Sequence, residues 1–185
     1  MATYLEQSTT QTTVFETAVP WMYLDTRGLV TAGIGRMLPD AAAAQALAFL
    51  HPDGTPAPPD AIQAEFERVR TLAPAQSFHV YRSPTSPTLA ADTMTAMLEA
   101  VITANDSILR GRLTDYDGFP NPAKLALLDM IYNLGENRLF SEYPLLLAAV
   151  NNQHWLVASQ QCHRNGPNQQ RNDWTRDQFL AAATP

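Results

Sequence analysis

A mainly helical α+β fold is predicted for this chain of 185 residues, and three observations predict it. Apolar residues at helical spacing through Met94, Met97, Leu98, Val101, Ile102, Ile108 and Leu109 mark one long helix ending near Gly111. A second run, Leu125, Leu128, Ile131 and Tyr132, is apolar on nearly every side, as in a helix buried at the centre of a lobe. Against these stands one short stretch of alternation. Met22 and Leu24 precede the turn Asp25-Thr26-Arg27-Gly28, and Leu29 to Thr31 follow it, which reads as a β-hairpin. The length allows one domain, or two small lobes sharing one long element.

The elements follow in order. Residues 1–8 are expected to be ragged. A first helix is expected from Thr9 or Thr12 to Val19, stopping before Pro20 because the residue preceding a proline avoids helical backbone. Its end presents Glu16 to the hairpin. The run Ala41 to Leu50 follows Pro39-Asp40 and predicts a further helix. His51 to Pro59 is a loop by its prolines and glycine. Ile62, Phe66, Val69 and Leu72 give a short helix with one apolar stripe. Residues 73–87 are expected to be irregular, with Phe78 to Tyr81 strand-like. Residues 113–120 form a turn-rich link. Asn121 is expected to cap the next helix, with Pro122 at its first position and Gly135 ending it. Helices near Tyr143–Val150 and Gln153–Cys162 precede the loop Asn165-Gly166-Pro167, and a last helix spans about Asn168 to Ala183.

Composition excludes several classes. The apolar content of 45% suffices for a core, and charge at 16% is below that of disordered chains. The formal net charge is -6, with a single lysine, Lys124, and no basic patch, so no nucleic-acid partner is expected. No apolar run approaches a membrane span, so no membrane insertion is expected. The start MATYLEQSTTQTT has neither a basic nor an apolar leader region, so no signal peptide is expected and synthesis is placed in the cytoplasm. Cys162 stands alone and reads as a small buried apolar residue. His51, His79, His154 and His163 are scattered without ligand spacing, so no metal is expected.

The chemistry concentrates in residues 16–36. Glu16 closes an apolar turn, Asp25 follows nine residues later, and the hydroxyl of Thr31 and the turn Gly33-Ile34-Gly35 come next. Two carboxyl groups and a positioned hydroxyl are what acid/base hydrolysis of a glycosidic bond requires. One carboxyl protonates the leaving oxygen while the other activates water on the opposite sugar face. Acid/base hydrolysis of this kind needs no cofactor, and none is expected. As general acid, Glu16 must be partly desolvated so that it stays protonated near neutral pH. Taken singly, Glu16 reads as a solvated helix residue and Asp25 as a turn residue. Gly33 and Gly35 read either as a flexible strand end or as a close approach of backbone to a sugar.

Glu16, Tyr23, Asp25, Thr26, Gly28, Thr31, Gly33, Ile34 and Gly35 together resemble the active-site segment of phage-type lysozymes, of the form E…Y-x-D-x-x-G-x-x-T-x-G-x-G. Ala126 to Glu136 resembles the family's central core helix, and Asn168 to Ala181 its C-terminal Arg-containing helix. Residues 39–87 have little counterpart, and Arg36 stands where the family commonly carries His. The resemblance implies a two-lobed lysozyme-like fold, with a hairpin lobe over roughly 15–90 and a helical lobe over roughly 1–14 and 91–185, joined by the long helix, with the cleft between them. It implies a muramidase cutting the β-1,4 bond between N-acetylmuramic acid and N-acetylglucosamine in peptidoglycan. Glu16 would be the acid, Asp25 and Thr31 would hold the water, and an inverting outcome would separate the carboxyls by about 6.5–9.5 Å. Gly33, Gly35, Tyr132 and Asn133 would bind substrate and Arg171 would orient Glu16, with Arg164 and Arg176 as competitors for that role.

A lytic transglycosylase, or a non-catalytic wall-binding module on the same scaffold, is the alternative. The expected partner is the glycan strand of peptidoglycan, and a monomer is expected. The acidic charge does not suit unaided steering to an anionic wall. It points to delivery, as a phage endolysin or as an antibacterial effector of type VI secretion, acting on the wall or in the periplasm of a target bacterium. The closing run RNDWTRDQFL resembles effector-borne lysozyme domains, for which an immunity protein plugging the groove would be expected.

Overall fold

The computed structural model describes residues 2–184, so Met1, part of the expected ragged start, and Pro185 lie outside the described residues. The protein is 59% helix and 9% strand, a mainly helical α+β fold whose strands form small antiparallel sheets. The chain divides into two compact units, Glu16–Leu98 on one hand and Met1–Phe15 with Glu99–Pro185 on the other.

The first helix, α1 (Tyr4–Phe15), begins earlier and ends earlier than its sequence suggests. A reciprocal capping pair starts it. Thr3 Oγ1 accepts from the Glu6 amide at 3.2 Å, and the Glu6 carboxylate accepts from the Thr3 amide at 2.7 Å. Its buried side chains are Ser8, Thr9 and Thr12, so no apolar stripe announces it. The helix stops before Glu16 because the next segment is claimed by a sheet.

β1 (Val19–Leu24) pairs with β2 (Val30–Gly33), and β2 pairs with a third strand, β3 (Arg36–Met37), which alternation did not reveal. Leu24 faces Val30, Tyr23 faces Thr31 and Val19 faces Gly33, with an irregularity between Val19 and Tyr23. Pro20 lies in that irregularity, where a residue lacking an N–H does least harm to the ladder.

The helix expected over Ala41 to Leu50 shortens to α2 (Ala41–Gln45), and the following Phe49–Leu50 is a strand, β4. Phe49 is buried in the unit's core, and Leu50 pairs with Thr88 of β5 (Thr88–Leu89), so a long-range ladder overrides helical propensity. Between them lies α3 (Pro59–Arg70), whose buried Ile62, Phe66 and Val69 match the expected stripe. The strand expected at Phe78 to Tyr81 is instead a 3-10 turn. It is pinned by the fully buried Tyr81, whose hydroxyl donates to the Ala73 carbonyl at 2.9 Å. Met22, Leu24, Val30 and Ala32 on one face of the sheet complete this core.

The long helix α4 (Ala91–Arg112) leads to α5 (Asn121–Leu134). Asn121 does not cap α5; it is the first helical residue, Pro120 precedes it, and no side-chain cap is made. Gly135, at φ +78, ends α5 as its position implied, but a further helix, α6 (Glu136–Glu142), restarts at once. Next come α7 (Pro144–Asn151), α8 (Trp155–Gln161) and α9 (Gln169–Ala182). Asn168 caps α9 by accepting from the Arg171 amide. The second unit packs around α5, where Leu127, Leu128, Met130 and Ile131 are at most 1% exposed. Trp155 stands edge-on to Phe119 at 5.0 Å and stacks with Phe179 at 6.5 Å, which gives it a core role.

Candidate functional site

Register places the site. In an antiparallel pair, residues directly opposite share a face, and alternate residues share it along each strand. Met22, Leu24, Val30 and Ala32 are turned to the core, so Tyr23 and Thr31, opposite each other, occupy the other face.

Asp25 leaves β1 two residues beyond Tyr23 and builds its own turn. Its Oδ1 accepts from the amides of Arg27 at 2.9 Å and Leu29 at 2.8 Å. Its carbonyl accepts from Gly28, whose φ of +77 demands glycine. Oδ2 has no protein hydrogen bond among the described residues. The carboxylate is thus fixed by one oxygen and open at the other.

Thr31 is only 3% exposed. Its hydroxyl donates to the Leu29 carbonyl at 3.1 Å, and the same carbonyl accepts from the Asp25 amide at 3.0 Å. The Thr31 proton is therefore committed, and its oxygen can still accept. An acceptor at this place would take one hydrogen of a water and turn the water's lone pairs outward.

Glu16 is half-buried in the bend between α1 and β1. The residue before it is anchored within the helical unit, where Phe15 lies under the Arg171 guanidinium at 5.2 Å and edge-on to Trp174 at 5.7 Å. Tyr23 senses both carboxyls. Burial raises its hydroxyl above the usual phenol range, and the charges of Asp25 and then Glu16 raise it further. One phenol therefore lies within electrostatic reach of both carboxyl groups. The sequence signal for this is the spacing of Tyr23 from Asp25, which puts both on one side of the strand.

The remaining sequence-derived positions fall as follows. Gly33 is buried, and the space a Cβ would fill is bounded by Leu89, Met94 and Met97 at 3.6–3.7 Å. Its φ of +66 supplies the need for glycine, as +70 does for the exposed Gly35. Tyr132 is half-buried and Asn133 exposed, both on the last turn of α5. Arg171 donates from Nε to Asp129 Oδ1 at 2.8 Å. Arg164, wholly buried, donates to Asp129 Oδ2 at 2.7 Å, and Thr175 donates to the same oxygen at 2.8 Å. Arg176 is exposed and pairs with Asp173 and Asp177. Trp21, buried, donates from Nε1 to the Phe78 carbonyl at 2.9 Å, bracing the 3-10 turn against β1.

Among the described residues no group of three or more His, Cys, Asp or Glu is placed to hold a metal ion, and no helix is long and apolar enough to cross a membrane. Compared with known proteins, the chain matches no family profile and no curated protein.

Proposed function

We propose that the protein is a glycoside hydrolase of the lysozyme type, a muramidase acting on peptidoglycan. The observation that carries this reading is that Asp25, its carboxylate held by the turn at one oxygen and open at the other, lies next to the Tyr23–Thr31 pair of the ladder, with the charges of Asp25 and Glu16 both felt at the Tyr23 phenol. Glu16, half-buried, is the proton donor to the leaving oxygen. Asp25 uses its open oxygen, and Thr31 its acceptor lone pairs, to seat and activate the attacking water. The lysozyme-like fold belongs to the same reading, as do glycan binding by Tyr132 and Asn133 and action on the wall of a target bacterium. An endolysin or a secreted effector with a cognate immunity protein both fit.

Glu16→Gln keeps the shape of the side chain and removes the acid. Release of soluble fragments from purified peptidoglycan should fall by about 10²-fold or more. Undiminished lysis would end the proposal. Mass spectrometry of the wild-type products should show reducing ends; anhydro ends would reassign the protein to the transglycosylases, which use no water.

A further inference from the structure

The segment without a counterpart among phage-type lysozymes carries a cavity of its own. Leu50 faces Thr88 in the β4–β5 ladder, so the chain on either side leaves that ladder as a pair of neighbouring walls, His51 to Asp53 and Thr85 to Pro87. Ala61, Ala64, Glu65 and Arg68 fall at i, i+3, i+4 and i+7 and form the floor, on the stripe of α3 turned away from the core. The cavity is about 760 Å³. Two alanines on the floor and prolines in the walls make it wide and largely apolar.

Its charges are held rigidly and are separated. Glu65 is 7% exposed and fully engaged, taking a bidentate bond from Arg68 at 2.7 and 2.8 Å and a third from Ser86 Oγ at 2.5 Å. Arg68 also donates to the Tyr81 carbonyl, which locks the guanidinium. All these bonds use Nε and Nη2, so among the described residues Nη1 is left with no acceptor, on a side chain 36% exposed. In the other wall, Asp53 Oδ1 accepts from the Thr55 amide and hydroxyl at 3.0 and 2.7 Å. These bonds hold the carboxyl below its usual range, so it is ionised at neutral pH, with Oδ2 open. The His51 imidazole makes no hydrogen bond among the described residues.

This lining discriminates between ligands. Among the lining residues the fixed cation, Arg68, is shared with Glu65 and faces the ionised Asp53, so a group carrying only negative charge gains less here than one carrying both signs. A pyranose would find no Phe, Tyr or Trp ring among the lining residues to pack on. A short peptide fits: a carboxylate for Arg68 Nη1, an ammonium for Asp53, and methyl-sized side chains against the alanines and prolines. The floor from Ala61 to Arg68 rises about 10 Å, the reach of about three extended residues.

We infer that this cavity binds the short peptide that branches from the peptidoglycan glycan chain, with its carboxylate on Arg68 and its ammonium on Asp53. The inference rests on the muramidase reading for the choice of peptide. The probe is the free stem tetrapeptide, L-alanyl-γ-D-glutamyl-meso-diaminopimelyl-D-alanine, titrated by calorimetry into the full chain. A form with acetylated amines and amidated carboxyls serves as control. The wild type should bind the peptide saturably and ignore the control. Asp53→Asn, which keeps the bond to Thr55 and removes the charge, should weaken binding about tenfold. Ala64→Trp, at an exposed helical position, fills the floor and should do the same. No saturable binding, or unchanged binding by both folded variants, overturns the proposal. Hydrolysis of peptide-stripped glycan is read separately. A protein that cuts such glycan but ignores the peptide sinks the pocket alone, and one that binds the peptide but cuts no glycan sinks the catalytic reading alone.

Discussion

Asp25 and Asp129 are both gripped by protein donors, yet the two units grip them differently. Asp129, 3% exposed, spends both oxygens. Arg171 takes Oδ1, and Arg164 and Thr175 share Oδ2. Two buried guanidinium groups need that carboxylate, and it needs them. Asp25 is half-buried, has one oxygen held by two backbone amides of its own turn, and keeps the other available. An acid with both oxygens taken by neighbouring side chains holds a fold together. An acid fixed at one oxygen and open at the other keeps an acceptor for water or a ligand. Arg171, expected from the sequence to orient Glu16, donates from Nε to Asp129.

Four measurements break or sharpen this contrast, in order of their effect on folding free energy. Asp129→Ala removes the carboxylate that two buried guanidinium groups share and should cost about 3–5 kcal/mol in urea unfolding; a loss below about 1 kcal/mol would erase the distinction between the two aspartates. Cys162 comes next, in the same unit. Burial pushes its thiol up from 9.0 to about 11, so the native state binds that proton more tightly than the unfolded chain. Its contribution is complete below pH 9 and drains away between pH 9 and 11, by up to about 3 kcal/mol. Unfolding followed across that window should fall more steeply for the wild type than for Cys162→Ala. Asp25→Asn keeps an oxygen for the turn amides, so stability should shift by less than about 1 kcal/mol while peptidoglycan lysis collapses. A large stability loss with lysis intact would make Asp25 as structural as Asp129. The smallest effect belongs to Tyr23→Phe, within about 0.5 kcal/mol at neutral pH. Because the native phenol is raised, the unfolded chain ionises first, and wild-type stability should fall faster than the variant's only above pH 10.

Much of this was legible in residue patterns, and the failures share a cause. The long helix α4, the all-round apolar α5, the Asp25 turn and the stop at Gly135 carry their signals locally, in spacing and in residues suited to special backbone angles. The end of the Ala-rich run did not. Phe49 and Leu50 become strand because Leu89 and Thr88, some forty residues on, pair with them. The start of α1 was hidden because its buried residues are hydroxyls, although Thr3 and Glu6 spelled out the cap. At the candidate site, the spacing of Glu16, Asp25 and Thr31 named the groups. It did not reveal that Leu29 presents one carbonyl to both Thr31 and Asp25, or that Tyr23 feels both acids.

By itself, then, the sequence determined which short segments turn, cap and coil, because those choices depend on neighbours within a few residues. Only tertiary structure decided which of eleven arginines would guard a buried aspartate, which strand would end a helix, and that the 39–87 segment would enclose a cavity. Those outcomes depend on groups brought together from distant positions, whose burial and charge acquire their energies only once the chain has closed around them.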